Sequence, residues 1–161
     1  MLNAQFVMHD EEFKLITGVI ERLVKEANAK AIFLVDKNGQ LVANCGEMKN
    51  VDTASLASLA AGNIAATGGL AKLLGEKEFP VHFHQGERDN LHISLVGERT
   101  ILVIVFDERS SLGLVKLRVK KASDELATVF EKIKKKMNQP SGVESPFADI
   151  TDEDIDNLFN E

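Results

Sequence analysis

Few residues in this chain have types and spacings that could do chemistry. His82 and His84 alternate, so on a strand they share a face, and His92 sits on the next apolar run. Two or three histidines brought together could hold a metal. No Cys or carboxylate at ligand spacing accompanies them, so polar positions on a half-exposed strand is the preferred reading. Cys45 is the sole cysteine, which rules out an intrachain disulfide and fits a reducing cytosol. No basic residue lies near it in the sequence to activate it, and it reads as structural. Ser110-Ser111 follows Asp107-Glu108-Arg109 and looks like a helix cap rather than a nucleophile. Asp107 stands at a strand end with nothing to pair with it in catalysis. Lys116, Arg118, Lys120 and Lys121 read as a solvated helix face. The Gly-rich run GNIAATGGLAK has neither a Ser/Thr after its lysine nor the spacing of a phosphate-binding loop. No enzyme active site, metal site or cofactor site assembles from these residues.

The elements that hold them follow from periodicity. Asp10–Ala27 reads as a helix, with Phe13, Ile16, Ile20, Leu23, Val24 and Ala27 on one face. Ala31–Asp36 and a run beginning at Leu41–Asn44 flank Lys37-Asn38-Gly39-Gln40. Asn-Gly predicts a tight hairpin with positive φ at both central residues. Asp52–Leu74 reads as a second helix, capped by Asp52 and stopped at Gly75. Phe79–Gln85, Leu91–Val96 and Thr100–Phe106 read as a three-strand meander. Ser110–Met137 contains a third helix, its apolar face running from Val115 to Met137. The order α-β-β-α-β-β-β-α, with short turns between strands, predicts an α+β sandwich on a five-stranded antiparallel sheet.

With 161 residues, the chain has one domain's worth of length and needs no staple. No signal peptide or membrane-length apolar run is legible. Of 25 acids, seven fall after Asn138 with no Lys or Arg among them, leaving 18 acids against 19 bases in residues 1–137. A near-neutral body with an acidic tail argues against nucleic acid as the main partner. The composition divides the chain into a domain over 1–137, a flexible, disordered linker over 138–146 and an acidic amphipathic motif over 147–161.

Within the second helix, Leu56, Leu59, Asn63, Ile64, Leu70 and Leu73 are expected to face the sheet. Ser58, Ala61, Gly62, Ala65, Gly68, Gly69 and Lys72 form the opposite stripe. Three interior glycines cost roughly 3 kcal/mol of helix propensity. Another molecule pressing on nearly bare backbone, either a second copy or a partner, explains that sacrifice. Tight packing inside one subunit is the competing reading.

In the tail, Thr151 can cap a helix, Asp154 stands at the capping-box position and Ile150 can staple onto Ile155. Ile155, Leu158 and Phe159 form an i, i+3, i+4 patch, and Phe147 adds a further apolar anchor. Such a short helix needs a groove to be stable, on this protein or on a partner. A merely solubilising tail would not explain these apolar residues.

The runs AIFLVDKNGQLVANCG, DTASLASLAAGNIAATGGLAKLLGE and ILVIVFDERSSLGLVKLRVKKASDEL, with the element order, resemble the roadblock/dynein light chain domain family. The terminal SPFADITDEDIDNLF resembles that of a bacterial subgroup which regulates a Ras-like polarity GTPase. The resemblance implies a cytoplasmic homodimer, concentrated at a cell pole, built from paired helices and a joined sheet. It implies binding of a GTP-loaded Ras-like GTPase, faster hydrolysis, and no active site of its own. It places the docking face at Ala61, Ala65, Gly68 and Gly69, and a modulatory tail contact at Ile155, Leu158 and Phe159. Five arginines (Arg22, Arg88, Arg99, Arg109 and Arg118) all lie off the small-residue stripe, so activation through an inserted arginine is not expected. The alternative is a roadblock scaffold that assembles a complex without affecting hydrolysis.

Overall fold

The computed structural model describes residues 10–138. The elements are α1 (Asp10–Glu26), β1 (Ala31–Asp36), β2 (Leu41–Gly46), α2 (Thr53–Leu73), β3 (Val81–Gln85), β4 (Asn90–Val96), β5 (Thr100–Phe106) and α3 (Leu112–Asn138). The strands form one antiparallel sheet in the order β2-β1-β5-β4-β3. This is the expected α+β order. The expected linker (138–146) and tail helix (147–161) lie outside the described residues, apart from Asn138.

The β1–β5 pair is the apolar spine, because both strands are continuous runs buried on both faces. One face (Ile32, Leu34, Leu102, Ile104 and Phe106) packs beneath Ile16, Ile20 and Leu23 of α1 and Val115, Val119 and Leu126 of α3. The other face (Ala31, Phe33, Val35, Ile101, Val103 and Val105) packs against α2. The sheet is therefore the middle of three layers. An ion pair from buried Glu12 to Lys136 joins the start of α1 to the end of α3, and Arg22 pairs with Glu125 further along. The two helices thus run antiparallel.

Two glycines shape the first hairpin. Gly39 has φ +91°, but Asn38 does not share positive φ, so the turn expected from Asn-Gly is corrected. The Gly39 amide donates to the Asp36 carbonyl at 2.8 Å, making a type I turn. The Asp36 amide then donates to the Gln40 carbonyl at 2.8 Å. The cause is Asp36 Oδ1, which accepts from the Asn38 amide at 2.8 Å and holds the turn in the right-handed region. Gly39 alone takes the left-handed step, as in three-residue hairpins. At Gly46 (φ +110°) a Cβ would lie 2.4 Å from the Lys30 carbonyl oxygen, so only glycine lets β2 leave the sheet there.

Candidate functional site: the outward face of α2 and the β3 edge

The α2 helix opens on Asp52, whose carboxylate accepts from the Ser55 hydroxyl at 2.7 Å and the Ser55 amide at 3.2 Å. These bonds, the hydroxyl's first, hold the Asp52 carboxyl below its ordinary range. Lys72 is the only charged residue in its 21 residues.

Apolar on nearly every side, the helix gives its periodicity no phase, and here the structure corrects the sequence reading. The buried face consists of Ala57, Ala60 and Ala71, with Leu56, Ala61 and Ile64 partly buried beside them. Small side chains let α2 sit close on Phe33, Val35 and Ile101. The leucines expected in the core point out instead: Leu59 is 74% exposed, Leu70 56% and Leu73 84%, with Leu74 at 73%. Ser58, Gly62, Ala65, Gly69 and Lys72 of the small-residue stripe are exposed as well, while Ala61 and Gly68 turn partly inward. The outward surface is thus a leucine-rimmed strip of small residues.

Nothing among the described residues accounts for the glycines. A Cβ built at Gly62, Gly68 or Gly69 meets no atom within 4 Å. Packing among the described residues therefore does not require them. A soluble surface rarely leaves so many large apolar side chains together without a partner.

At the far edge of the sheet lies β3, which pairs only with β4 among the described strands. Val81 and Phe83 are exposed on it, with Phe83 stacked on Phe106 at 6.1 Å between ring centroids. An edge with free N–H and C=O groups is a template for another strand.

The histidines do not form a cluster. Register places Phe83 opposite His92, and His82 and His84 opposite Ile93 and Leu91. His82 and His84 therefore lie on the α2 side of the sheet and His92 on the other. Among the described residues no three His, Cys, Asp or Glu side chains could share a metal ion. His92 is buried, and its Nδ1 has no hydrogen-bond partner among the described residues. Burial, and then the nearby Lys116 charge, push its pKa below 6.5. Cys45 is a free, half-buried thiol on β2. The Ser111 hydroxyl accepts from the Leu114 amide at 3.2 Å and caps α3, while Ser110 donates to the Ala27 carbonyl. Asp107 is engaged by Arg109 Nε at 3.0 Å, which lowers its pKa. No arginine belongs to α2. The tail residues Phe147, Ile150, Ile155, Leu158 and Phe159 lie outside the described residues.

An antiparallel sheet lies between two helical layers, one of them the single helix α2 with its apolar outward face. The Roadblock/LC7 domain matches residues 15–106, and the chain belongs to that family. Its solved relatives include Myxococcus xanthus MglB, 61% identical over 79% of this chain and 96% of that one, with a TM-score of 0.75. The gliding protein MglB of Thermus thermophilus is 40% identical over 78% and 96%, with a TM-score of 0.75. A structure described as MglB with tetrameric arrangement is 38% identical over 79% and 96%, with the same score. The comparison with curated proteins found no match. Among the described residues no helix is long and apolar enough to cross a membrane.

Proposed function

We propose that this chain is a homodimeric activator of a Ras-like small GTPase of the MglA type. The observation that carries the reading is the outward face of α2, where Leu59, Leu70 and Leu73 surround glycines that no contact among the described residues requires. Pairing α2 with its copy, and β3 with its copy, would cover both surfaces and join two five-stranded sheets. The parts of α2 left open in such a pair, around Ala61, Ala65, Gly68 and Gly69, would then receive the GTPase. The likeness to MglB over most of the chain supports this choice of partner.

Stimulation would come from outside the nucleotide site. Arg22, Arg109 and Arg118 belong to α1, the segment after β5, and α3. Arg88 and Arg99 sit in the turns either side of β4. None projects from α2. The dimer would instead bind most tightly the switch-loop arrangement in which the GTPase's own groups are placed for hydrolysis. Only such differential affinity shifts a population. Residues 147–161 would act as a tethered helix that modulates affinity or nucleotide exchange. The chain would work in the cytoplasm, gathered at a cell pole, in control of polarity or gliding motility.

The test is phosphate release from the GTP-loaded GTPase with and without this protein. Stimulation should survive each of the five Arg→Ala changes. Loss of nearly all stimulation from one of them, with binding retained, would reveal an inserted arginine, whose usual worth is about 10³–10⁵ in rate. Binding without any stimulation would make the protein a scaffold.

A further inference from the structure

A second apolar recess lies where the β4–β5 turn meets the last turns of α3. It encloses about 430 Å³ and is lined by Val96, Phe130, Ile133 and Met137, together with Arg99 and Lys134. Val96 and Ile133 belong to the core, whereas Met137 is half exposed. A volume of this size with a mainly apolar lining and a few charges suits a few large side chains.

Three observations select its occupant. The first is position: α3 ends at Asn138, which itself lines the recess. Eight residues lie between Asn138 and Phe147, enough to span about 30 Å. The lined part of α3, from Ala127 to Met137, is roughly 15 Å long, so the chain can turn back along it with slack.

The second is charge. Residues 139–161 carry seven acids and no base. Glu98 and Glu131 balance Arg99 and Lys134 in the lining, and Lys136 is taken by Glu12, but Lys132 and Lys135 are exposed on the same turns of α3. The segment that precedes α1, residues 1–9, contains Leu2, Phe6 and Val7 but no acid, so charge does not select it.

The third is pattern. Ile155, Leu158 and Phe159 have the spacing of a helix that lays one edge into a groove. A tether of this length gives an effective concentration on the order of millimolar, so a weak contact suffices.

We infer that residues 147–161 dock into this recess of their own chain, with Ile155, Leu158 and Phe159 against Val96, Phe130, Ile133 and Met137. This goes beyond the GTPase reading and does not depend on it, because the contact forms with no partner present. A partner that takes the tail must first draw it out, so the recess sets how readily the tail is lent.

The test is methyl NMR on the full chain, reading the Met137 ε-methyl and the Ile133 δ1-methyl. The wild type should show a contact between the Met137 methyl and the Phe159 ring that does not change on dilution. Joint Ile155→Asp and Leu158→Asp substitution should abolish that contact and shift both methyls, leaving those of Ile16 and Ile20 in place. Identical methyl spectra for wild type and variant would overturn the proposal. So would the same methyls responding only to Phe6→Ala, which would give the recess to the N-terminal segment. A contact seen only between chains, in a mixture of labelled and unlabelled protein, would assign it to a second copy's tail and overturn it too.

Discussion

The two helical layers of this domain face solvent in opposite ways. On one side of the sheet, α1 and α3 bury regular apolar stripes and turn mostly charged residues outward, among them Glu21, Lys25, Lys120, Lys121 and Lys132. On the other, α2 buries alanines and turns leucines and glycines outward. A layer that turns mostly charged side chains outward offers a partner few apolar contacts, its exceptions being Phe13, Leu15, Leu117 and Met137. One that spends its smallest side chains on its own core and leaves leucines outside has the surface that the proposed contact with a second molecule needs. Exposure alone would not teach this, since single apolar residues on surfaces are ordinary. The lesson comes from their grouping on one helix with a single charge.

The contrast can be broken or sharpened by substitution. Leu126→Ala, in the buried face of α3, should cost about 2–5 kcal/mol in urea unfolding. Leu73→Ala should cost little at low protein concentration and instead weaken the dependence of Tm on concentration. Equal losses at low concentration would erase the difference between the layers. Ala60→Leu, beneath α2, should overpack the close approach to the sheet and cost about 1–3 kcal/mol. A neutral outcome would mean that α2 stands off further than described.

Gly62→Ala sharpens the comparison most finely. Its Cβ meets nothing among the described residues, so it should stabilise the folded chain by up to about 1 kcal/mol, yet weaken association or GTPase binding. Gain in both would show that the glycine serves no contact.

The α1/α3 side has its own pH signature. The His92 pKa is depressed by burial, so the unfolded chain binds the extra proton first as pH falls below about 6.5. Stability is fully present above that pH and is lost progressively below it, down to the folded pKa. His92→Leu should flatten the slope in that window, as read by denaturant midpoints from pH 7.5 to 5. The smallest effect belongs to the partly exposed Arg22–Glu125 pair. Arg22→Ala should change stability by less than about 1 kcal/mol.

The element order was legible because β1 and β5 are unbroken apolar runs and the faces of α1 and α3 repeat at helical spacing. The cap at Asp52 and the cap at Ser111 were equally plain, each being a short-range feature. The facing of α2 was not. With Ala, Gly, Leu and Ile spread around the helix, hydrophobicity alone could not choose between the leucine face and the alanine face. A clue was present in Ala57, Ala60, Ile64 and Ala71, spaced by three, four and seven residues on one helical face, where the three alanines permit close packing on a sheet. The separation of His92 from His82 and His84 depends on β3–β4 register, which two adjacent strands do not announce. The hairpin at Gly39 differed from expectation because the Asp36 side chain, not Asn-Gly alone, chose the turn.

The central claim is that the outward face of α2 is an interface. Light scattering of the size-separated full chain, beside its Leu70→Asp/Leu73→Asp variant, tests it most directly. The account predicts a mass of at least two chains for the wild type, and of one chain with unchanged circular dichroism for the variant. A wild-type protein that runs as a single chain and keeps its GTPase binding after the double substitution would contradict it.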